Sequence, residues 1–301
     1  MDHHFIFGCG FLGRVLARQW VAAGQSVWTT SRDPEKVAQL QAEGIHAVPA
    51  DHTQWAAFAQ QTSWPVFRSI TVCIGNDRRQ GSDHQVIYQA ATHAALLLAQ
   101  RYHTGSPVGN ADALPSPNTG SRVLFVSTTG VYQTDSTEAE AIPRVDEHWP
   151  VAAHRDGAAA SLACEALLAG QTTVPYTLFR LAGIYSLQRI PNLSRLQNDQ
   201  PIAGSGQGLL NLIHVEDAAT ILRQAAAEPP EWPVLNVADG HPIRRQAFYD
   251  HLAARYGCPP PQFTEEGGRT AGQKQIDTTR LQAWFRGPWQ FPDYRLGLED
   301  A

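Results

Sequence analysis

Short apolar runs alternate along the chain with longer segments that are apolar at helical spacing. Phe5 to Phe7 is a brief apolar run that ends in Gly8-Cys9-Gly10-Phe11-Leu12-Gly13, and Arg14 to Ala23 then repeats as a helix closed by Gly24. Ser26 to Thr30 reads as a second strand. Asp33-Pro34-Glu35-Lys36 opens the next helix, with Asp33 as N-cap and Pro34 in the first turn. Gly44 to Val48, Ser69 to Ile74 and Arg122 to Val126 read as the third, fourth and fifth strands, with an Ala/Leu helix over Val86 to Tyr102. A further helix over Ala158 to Leu168 precedes a strand at Tyr176 to Arg180. This alternation predicts βαβ units and an α/β fold built on a doubly wound parallel sheet, with a smaller C-terminal lobe on the substrate side. The division expected is 1–178 for the sheet domain, with 209–239 returning to it, and 179–208 plus 240–301 for the smaller lobe. Between Tyr102 and Ser121 a Gly/Ser/Pro/Asn stretch has too little apolar content for a core and reads as a surface insertion.

Composition narrows the class. The chain has 301 residues, 43% hydrophobic and 17% charged, with a net charge of −5. No basic face is implied, so nucleic acid is not an expected partner. Ala90 to Ala99 is interrupted by Thr92 and His93 and is too short to span a bilayer. The start of the chain has no basic segment and cleavage site of the kind that marks a secretory signal. The 4 cysteines are scattered without a C-x-x-C pair, which argues against a zinc site or a disulfide framework. The expectation is a reduced cytoplasmic protein, without a metal or a membrane partner, that binds a small-molecule substrate or effector.

The chemistry begins at the glycine loop. Gly8-x-Gly10-x-x-Gly13 lies between a strand and a helix at the start of a βαβ unit. In that context the first glycine permits a tight turn, the second admits a pyrophosphate to the backbone, and the third lets helix and strand pack closely. The helix start at Phe11 and Leu12 supplies N–H groups and positive potential. The second strand runs on into Ser31 and Arg32, where a site for NAD would carry an acid. Ser31 can donate to a 2′-phosphate and Arg32 can pair with it, so NADP(H) is favoured and NAD(H) remains possible, with Asp33 as the alternative acid. Cys9 reads as a small residue filling the turn.

Several segments resemble the extended short-chain dehydrogenase/reductases, the NAD-dependent epimerase/dehydratase superfamily with a Rossmann domain. They are Phe125-Val126-Ser127-Thr128-Thr129-Gly130-Val131-Tyr132, then Arg180-Leu181-Ala182-Gly183-Ile184-Tyr185, then Ile213-His214-Val215-Glu216-Asp217-Ala218, and finally Leu235-Asn236-Val237-Ala238. The chain is most similar to the atypical, YeeZ-like branch, which also opens with G-x-G-x-x-G. The resemblance implies that Asp51 meets the adenine, that Gly75 and Ser127 lie beside the cofactor, and that Tyr185 and Arg189 face the substrate. It also implies a possible homodimer, because the family counterparts of the helices at Val86 to Tyr102 and Ala158 to Leu168 often pair between subunits. Their Ala-rich faces suit that contact or packing on the sheet.

Active members place a Tyr, and a Lys four residues later, on the helix after the fifth strand. Here the K-L-A-x-E stretch aligns on Ser161-Leu162-Ala163-Cys164-Glu165, so Ser161 occupies the Lys position and Gly157 the Tyr position. Lys36 and Lys274 are the only lysines, and neither follows a Tyr by four. Thr128 resembles the third member of the triad, and Tyr132, His154 and Tyr185 are the nearby groups that can replace the missing acid. Each has an ordinary alternative: Thr128 as a strand end, His154 and Arg189 as surface residues, and His214 with Asp217 as a brace ordering a loop. The resemblance implies an NADP-dependent oxidoreductase or epimerase acting on a small hydroxyl, carbonyl or sugar-like substrate. The competing reading is an NADP(H)-binding redox sensor without catalysis.

Overall fold

Phe5, Ile6 and Phe7 are all fully buried, and successive side chains of a strand point to opposite faces. Phe5 and Phe7 accordingly enter one core and Ile6 the other, which makes this strand the centre of a sheet covered on both sides. The strands of that sheet, numbered along the chain, are β1 (His3–Phe7), β2 (Ser26–Ser31), β3 (His46–Pro49), β4 (Phe67–Val72), β5 (Arg122–Thr128), β6 (Tyr176–Leu181) and β7 (Val234–Val237). All pair in parallel, in the order β3-β2-β1-β4-β5-β6-β7, and the order reverses between β1 and β4. The computed structural model describes residues 1–61, 63–75, 84–103, 120–134, 142–153, 156–264 and 273–299. The insertion expected between Tyr102 and Ser121 and the candidate His154 therefore lie almost wholly, and wholly, outside the described residues.

Helices cover both faces. α1 (Phe11–Ala22) turns Leu12, Leu16, Ala17 and Trp20 inward at helical spacing, and burying each of the larger ones contributes roughly 1.5–3 kcal/mol. It ends one residue before the expected glycine: Ala23 is the C-cap, and Gly24 follows in the left-handed region at φ +73°. α2 (Pro34–Ala42) is capped by Asp33, as its sequence predicts, with Glu35 N and Lys36 N donating to Asp33 Oδ1 at 2.9 and 3.3 Å. The opposite face carries α3 (Trp55–Ala59), α4 (His84–His103) and α5 (Asp156–Ala169).

After β6 the chain leaves the sheet. Gly183–Tyr185 pairs in parallel with Leu212–His214, and α6 (Leu193–Gln197) lies between them in sequence. α7 (Val215–Ala227) then returns to pack beside α1 before β7 completes the sheet. α8 (Arg245–Tyr256), α9 (Thr279–Trp284) and α10 (Tyr294–Gly297) follow. Tyr185, Leu196, Leu212, Phe248, Tyr249 and Leu298 form a second small core with their neighbours. α7 is amphipathic, and α8 buries Phe248, Tyr249, Leu252 and Ala253. Among the described residues no helix is long and apolar enough to cross a membrane.

Candidate functional site

Because every strand of the sheet is parallel, the ends of β3, β2, β1, β4 and β5 line one edge. Asp51, Ser31 with Arg32, the glycine loop, Gly75 and Thr128 stand along that edge in this order. A crevice at such an edge, where the strand order reverses, is where open α/β sheets bind ligands.

The three glycines of the loop differ in what requires them. Gly8 has φ +92°, and a Cβ there would lie 2.6 Å from the carbonyl oxygen of Cys73. At Gly13 a Cβ would lie 2.5 Å from the carbonyl oxygen of Gly8. Both are therefore demanded by packing of the loop on β4 and on α1. Gly10 is different: a Cβ would meet only Gly8 O, at 3.9 Å, so nothing in the protein forbids a side chain. Gly10 is also the N-cap of α1, where no side chain caps the helix and no acid occupies the first turn. The N–H groups of Phe11, Leu12 and Gly13 thus present positive potential beside a space that a side chain at Gly10 would fill. This cradle fits a phosphate-bearing ligand. Cys9 is buried and its thiol is pushed up to about 11 by desolvation, which suits a packing residue rather than a reactive one.

On the neighbouring strand, Ser31 Oγ accepts from Asp33 N at 3.2 Å, while the Asp33 carboxylate is engaged in capping α2. Arg32 is exposed and makes no ion pair or side-chain hydrogen bond among the described residues. Asp51 Oδ1 accepts from Thr53 N at 2.8 Å and Thr53 Oγ1 at 2.6 Å, and these bonds hold the carboxyl below its ordinary range. Gly75 is exposed, and a Cβ there would meet nothing within 4 Å.

At the end of β5, Thr128 is half-buried and its Oγ1 accepts from Gly130 N at 3.0 Å. That bond leaves the hydroxyl proton as the group Thr128 can still offer. Ser127, by contrast, is spent inside: its Oγ donates to Glu165 Oε1. Glu165 in turn pairs with Arg180 at 2.7 Å, both side chains being buried. The Arg180 guanidinium also lies 4.9 Å from the centre of the Tyr132 ring. The sequence motifs contain all four residues separately, but only the fold shows that they form one network.

Two candidates need correction. Tyr132 is buried, its hydroxyl donates to Asn236 Oδ1, and burial pushes its pKa up to about 12. Tyr185 is fully buried in the second core, where its hydroxyl has no partner and packs so closely on Gly297 that a Cβ there would clash. Burial pushes its pKa up as well. Neither phenol is placed to exchange a proton with a ligand in the crevice. On α5 the positions of the family's Tyr and Lys hold Gly157 and a buried Ser161.

Arg189 comes from a tight turn in which Arg189 N donates to Ser186 O at 3.0 Å. Its guanidinium carbon lies 4.9 Å from the ring centre of Phe11, the first residue of α1. It is therefore closer to the glycine loop than its expected substrate role implies. Lys274, the second of the two lysines, donates from Nζ to Tyr132 O at 3.3 Å, a contact between residues too distant in sequence for any motif to show. His214 Nδ1 accepts from Glu216 N at 3.3 Å at the start of α7, and Asp217 accepts from Gln290 N and Phe291 N, both at 2.8 Å. These two residues brace a loop, as the milder reading of the motif has it. No cluster of three His, Cys, Asp or Glu side chains that could hold a metal ion occurs among the described residues.

Comparison with known proteins places this architecture. The chain belongs to the NAD dependent epimerase/dehydratase family, whose model matches residues 5–238. It is similar to Protein YeeZ of Escherichia coli K12, at 30% identity over 177 residues, covering 57% of this chain and 59% of that relative. The match thus spans about three-fifths of YeeZ. Among solved structures, an NAD-dependent epimerase/dehydratase assigned from Methylobacillus flagellatus superposes with a TM-score of 0.68 at 25% identity, covering 98% of this chain and 96% of that one. The human epimerase family protein SDR39U1, solved with NADPH, gives a TM-score of 0.71 at 18% identity over 98% and 97% of the two chains, a likeness of fold.

Proposed function

We propose that the chain binds NADP(H) along the carboxyl edge of its sheet and serves as an NADP-dependent oxidoreductase for a small carbonyl or hydroxyl substrate, without a Tyr-x-x-x-Lys pair. The observation that carries this reading is Gly10, a glycine that the protein's own packing does not require, at the uncapped start of α1. A pyrophosphate is the group for which such a position is kept small. Family membership and the NADPH found in the human relative support a nicotinamide cofactor. The choice of NADP rests on Arg32 and Ser31, which can meet a 2′-phosphate, and on Asp33, whose carboxylate is occupied by α2.

Arg189 belongs with the cofactor in this reading. Stacked on Phe11, its guanidinium stands where it can pair with the pyrophosphate and add to the field of α1. When bound, the nicotinamide supplies or accepts the hydride. The Thr128 hydroxyl would hydrogen-bond the oxygen of the substrate carbonyl and steady the charge that develops there, with solvent water supplying the proton that completes the alcohol. Asp51, at the far end of the edge, would accept from the adenine amino group.

A second reading is favoured by the burial of Tyr132 and Tyr185 together with Gly157 and Ser161 on α5: a dinucleotide-responsive regulator that has lost the proton-transfer step. Titration of the protein with NADPH, NADP+, NADH and NAD+, followed by calorimetry and Trp fluorescence, tests the common core of both. NADPH is expected to bind tightest, and absence of binding by all four overturns both. Turnover of an aldehyde, ketone or nucleotide-sugar panel with NADPH, lost in Thr128→Ala while NADPH affinity is kept, supports the enzyme. Binding without turnover across that panel selects the regulator.

A further inference from the structure

The opposite edge of the sheet carries a second site. Arg122 is the first residue of β5, and it is only 8% exposed. It makes no ion pair or side-chain hydrogen bond among the described residues, although an arginine keeps its charge under all ordinary conditions. Its nearest charged influence is of the same sign: burial and Arg68 together hold its pKa below the usual arginine range. Arg68 itself is turned to the carbonyls of Ala226 and Ala227 and to Asp2. An arginine with so little exposed surface normally has a carboxylate beside it, as Arg180 has Glu165; the Arg122 nitrogens are not among the sealed, unpartnered polar atoms, so the part of the side chain left exposed opens to solvent.

Arg122 lines a cleft of about 510 Å³ at the amino ends of β5, β6 and β7. That volume lies in the range of small-molecule sites. Its lining is mixed, with Pro175, Tyr176, Pro230 and Trp232 beside Thr173 and Thr177, and the Arg280 guanidinium lies 5.6 Å from the Trp232 ring centre. Glu231 also lines the cleft but forms no ion pair with Arg122.

We propose that this cleft binds a small organic anion, with its carboxylate or phosphate on Arg122 and an aromatic or other apolar body against Tyr176, Trp232 and the prolines. The guanidinium fork matches either oxyanion, and the ring surfaces select molecules that carry a flat apolar part. The site is separated from the glycine loop by the length of the strands, so it is independent of the dinucleotide reading.

The test uses benzoate, phenyl phosphate and inorganic phosphate as probes of the whole chain, followed by calorimetry and thermal melting. At least one aromatic anion is expected to bind about tenfold more tightly than inorganic phosphate, and the comparison of benzoate with phenyl phosphate tells a carboxylate ligand from a phosphate one. Arg122→Met is expected to abolish that binding and to leave NADPH affinity unchanged. Arg122→Lys keeps the charge but loses the fork, and about tenfold weaker binding is expected of it, which carries the test if the Met variant does not fold. Failure of both aromatic anions to bind at millimolar concentration overturns the proposal. So does binding that persists unchanged in either variant, since it then arises elsewhere, at the glycine loop or on the surface.

Discussion

The guanidinium of Arg189 stands over the ring of Phe11, 4.9 Å from its centre, and joins the excursion that follows β6 to the first turn of α1. A substrate residue and a cofactor residue of the sequence reading are thus neighbours. If Arg189 grips the pyrophosphate, Arg189→Ala weakens NADPH binding by about 1.5–3 kcal/mol, the range of hydrogen bonds to charged groups. Calorimetry reads this directly. Unchanged NADPH affinity with a raised KM for substrate returns Arg189 to the substrate side.

The glycine loop separates stability from binding. Gly13→Ala forces a Cβ to within 2.5 Å of a backbone oxygen and is expected to cost roughly 1–3 kcal/mol in denaturant melts. At Gly10 a Cβ meets only Gly8 O at 3.9 Å, so Gly10→Val should lower the melting temperature less than Gly13→Ala while weakening dinucleotide binding at least tenfold. If Gly10→Val binds NADPH like the parent, the loop is only a turn.

Cofactor preference is expected to turn on one exposed residue. Arg32→Asp removes a partner for the 2′-phosphate and offers a carboxylate to a ribose hydroxyl. NADPH affinity should fall about tenfold or more and NADH affinity rise. Equal affinities before and after the change would place the discrimination elsewhere.

Glu165 and Arg180 form a buried pair, and Glu165 also accepts from Ser127. Glu165→Ala leaves a guanidinium without its counter-charge, so a loss of about 3–5 kcal/mol is expected in urea denaturation. A loss below about 1 kcal/mol would mean that water replaces the carboxylate readily.

Stability should vary with pH in two opposed ways. His4, stacked on Trp20 at 4.0 Å and bonded to Ser69, has its pKa lowered to about 4 by burial. An unfolded histidine titrates near 6.5, so between about 6.5 and 4 the unfolded chain holds the extra proton and acidification destabilises the fold. Asp239 has its pKa raised to about 7 by burial, so over the range from about 4 to 7 it is the folded chain that holds the extra proton. Its contribution therefore improves on acidification and is lost as pH rises through 7. His4→Gln should remove the destabilisation that acidification from about 6.5 to 4 causes, and Asp239→Asn the opposing loss of stability as pH rises from about 4 to 7. A His4→Gln profile that runs parallel to the parent from pH 4 to 6.5 would count against a buried neutral imidazole.

The sheet was legible because its strands are short apolar runs, such as Phe5 to Phe7, set between helices with clear caps such as Asp33. Boundaries moved by one to three residues where neighbours extend a strand: β5 runs on to Thr128 because β6 continues beside it to Leu181. The glycine loop was legible for a similar local reason, since a turn and a helix start are encoded in consecutive residues. The fates of Tyr132 and Tyr185 were not. A hydroxyl bonded to Asn236, more than a hundred residues on, and a ring pressed against Gly297 are products of packing that no local spacing records. Arg122 was equally silent in sequence, because an arginine at a strand start is ordinarily solvated and only its burial, with no ion pair among the described residues, sets it apart.

Three of the points at which the described chain crosses between the sheet and the second core are adjacent. These are Ala182–Gly183, His214–Val215 and Val237–Asp239, and they are laced by Ala182 N to Val237 O at 2.9 Å, Gly183 N to Asn211 O at 3.0 Å and Asp239 N to Leu212 O at 2.8 Å. A pair of bodies joined by a single strand can swivel, and one joined by two can nod about the line between them. Tied crossings resist both motions. The laced backbone therefore holds the start of the second core against the carboxyl ends of β6 and β7.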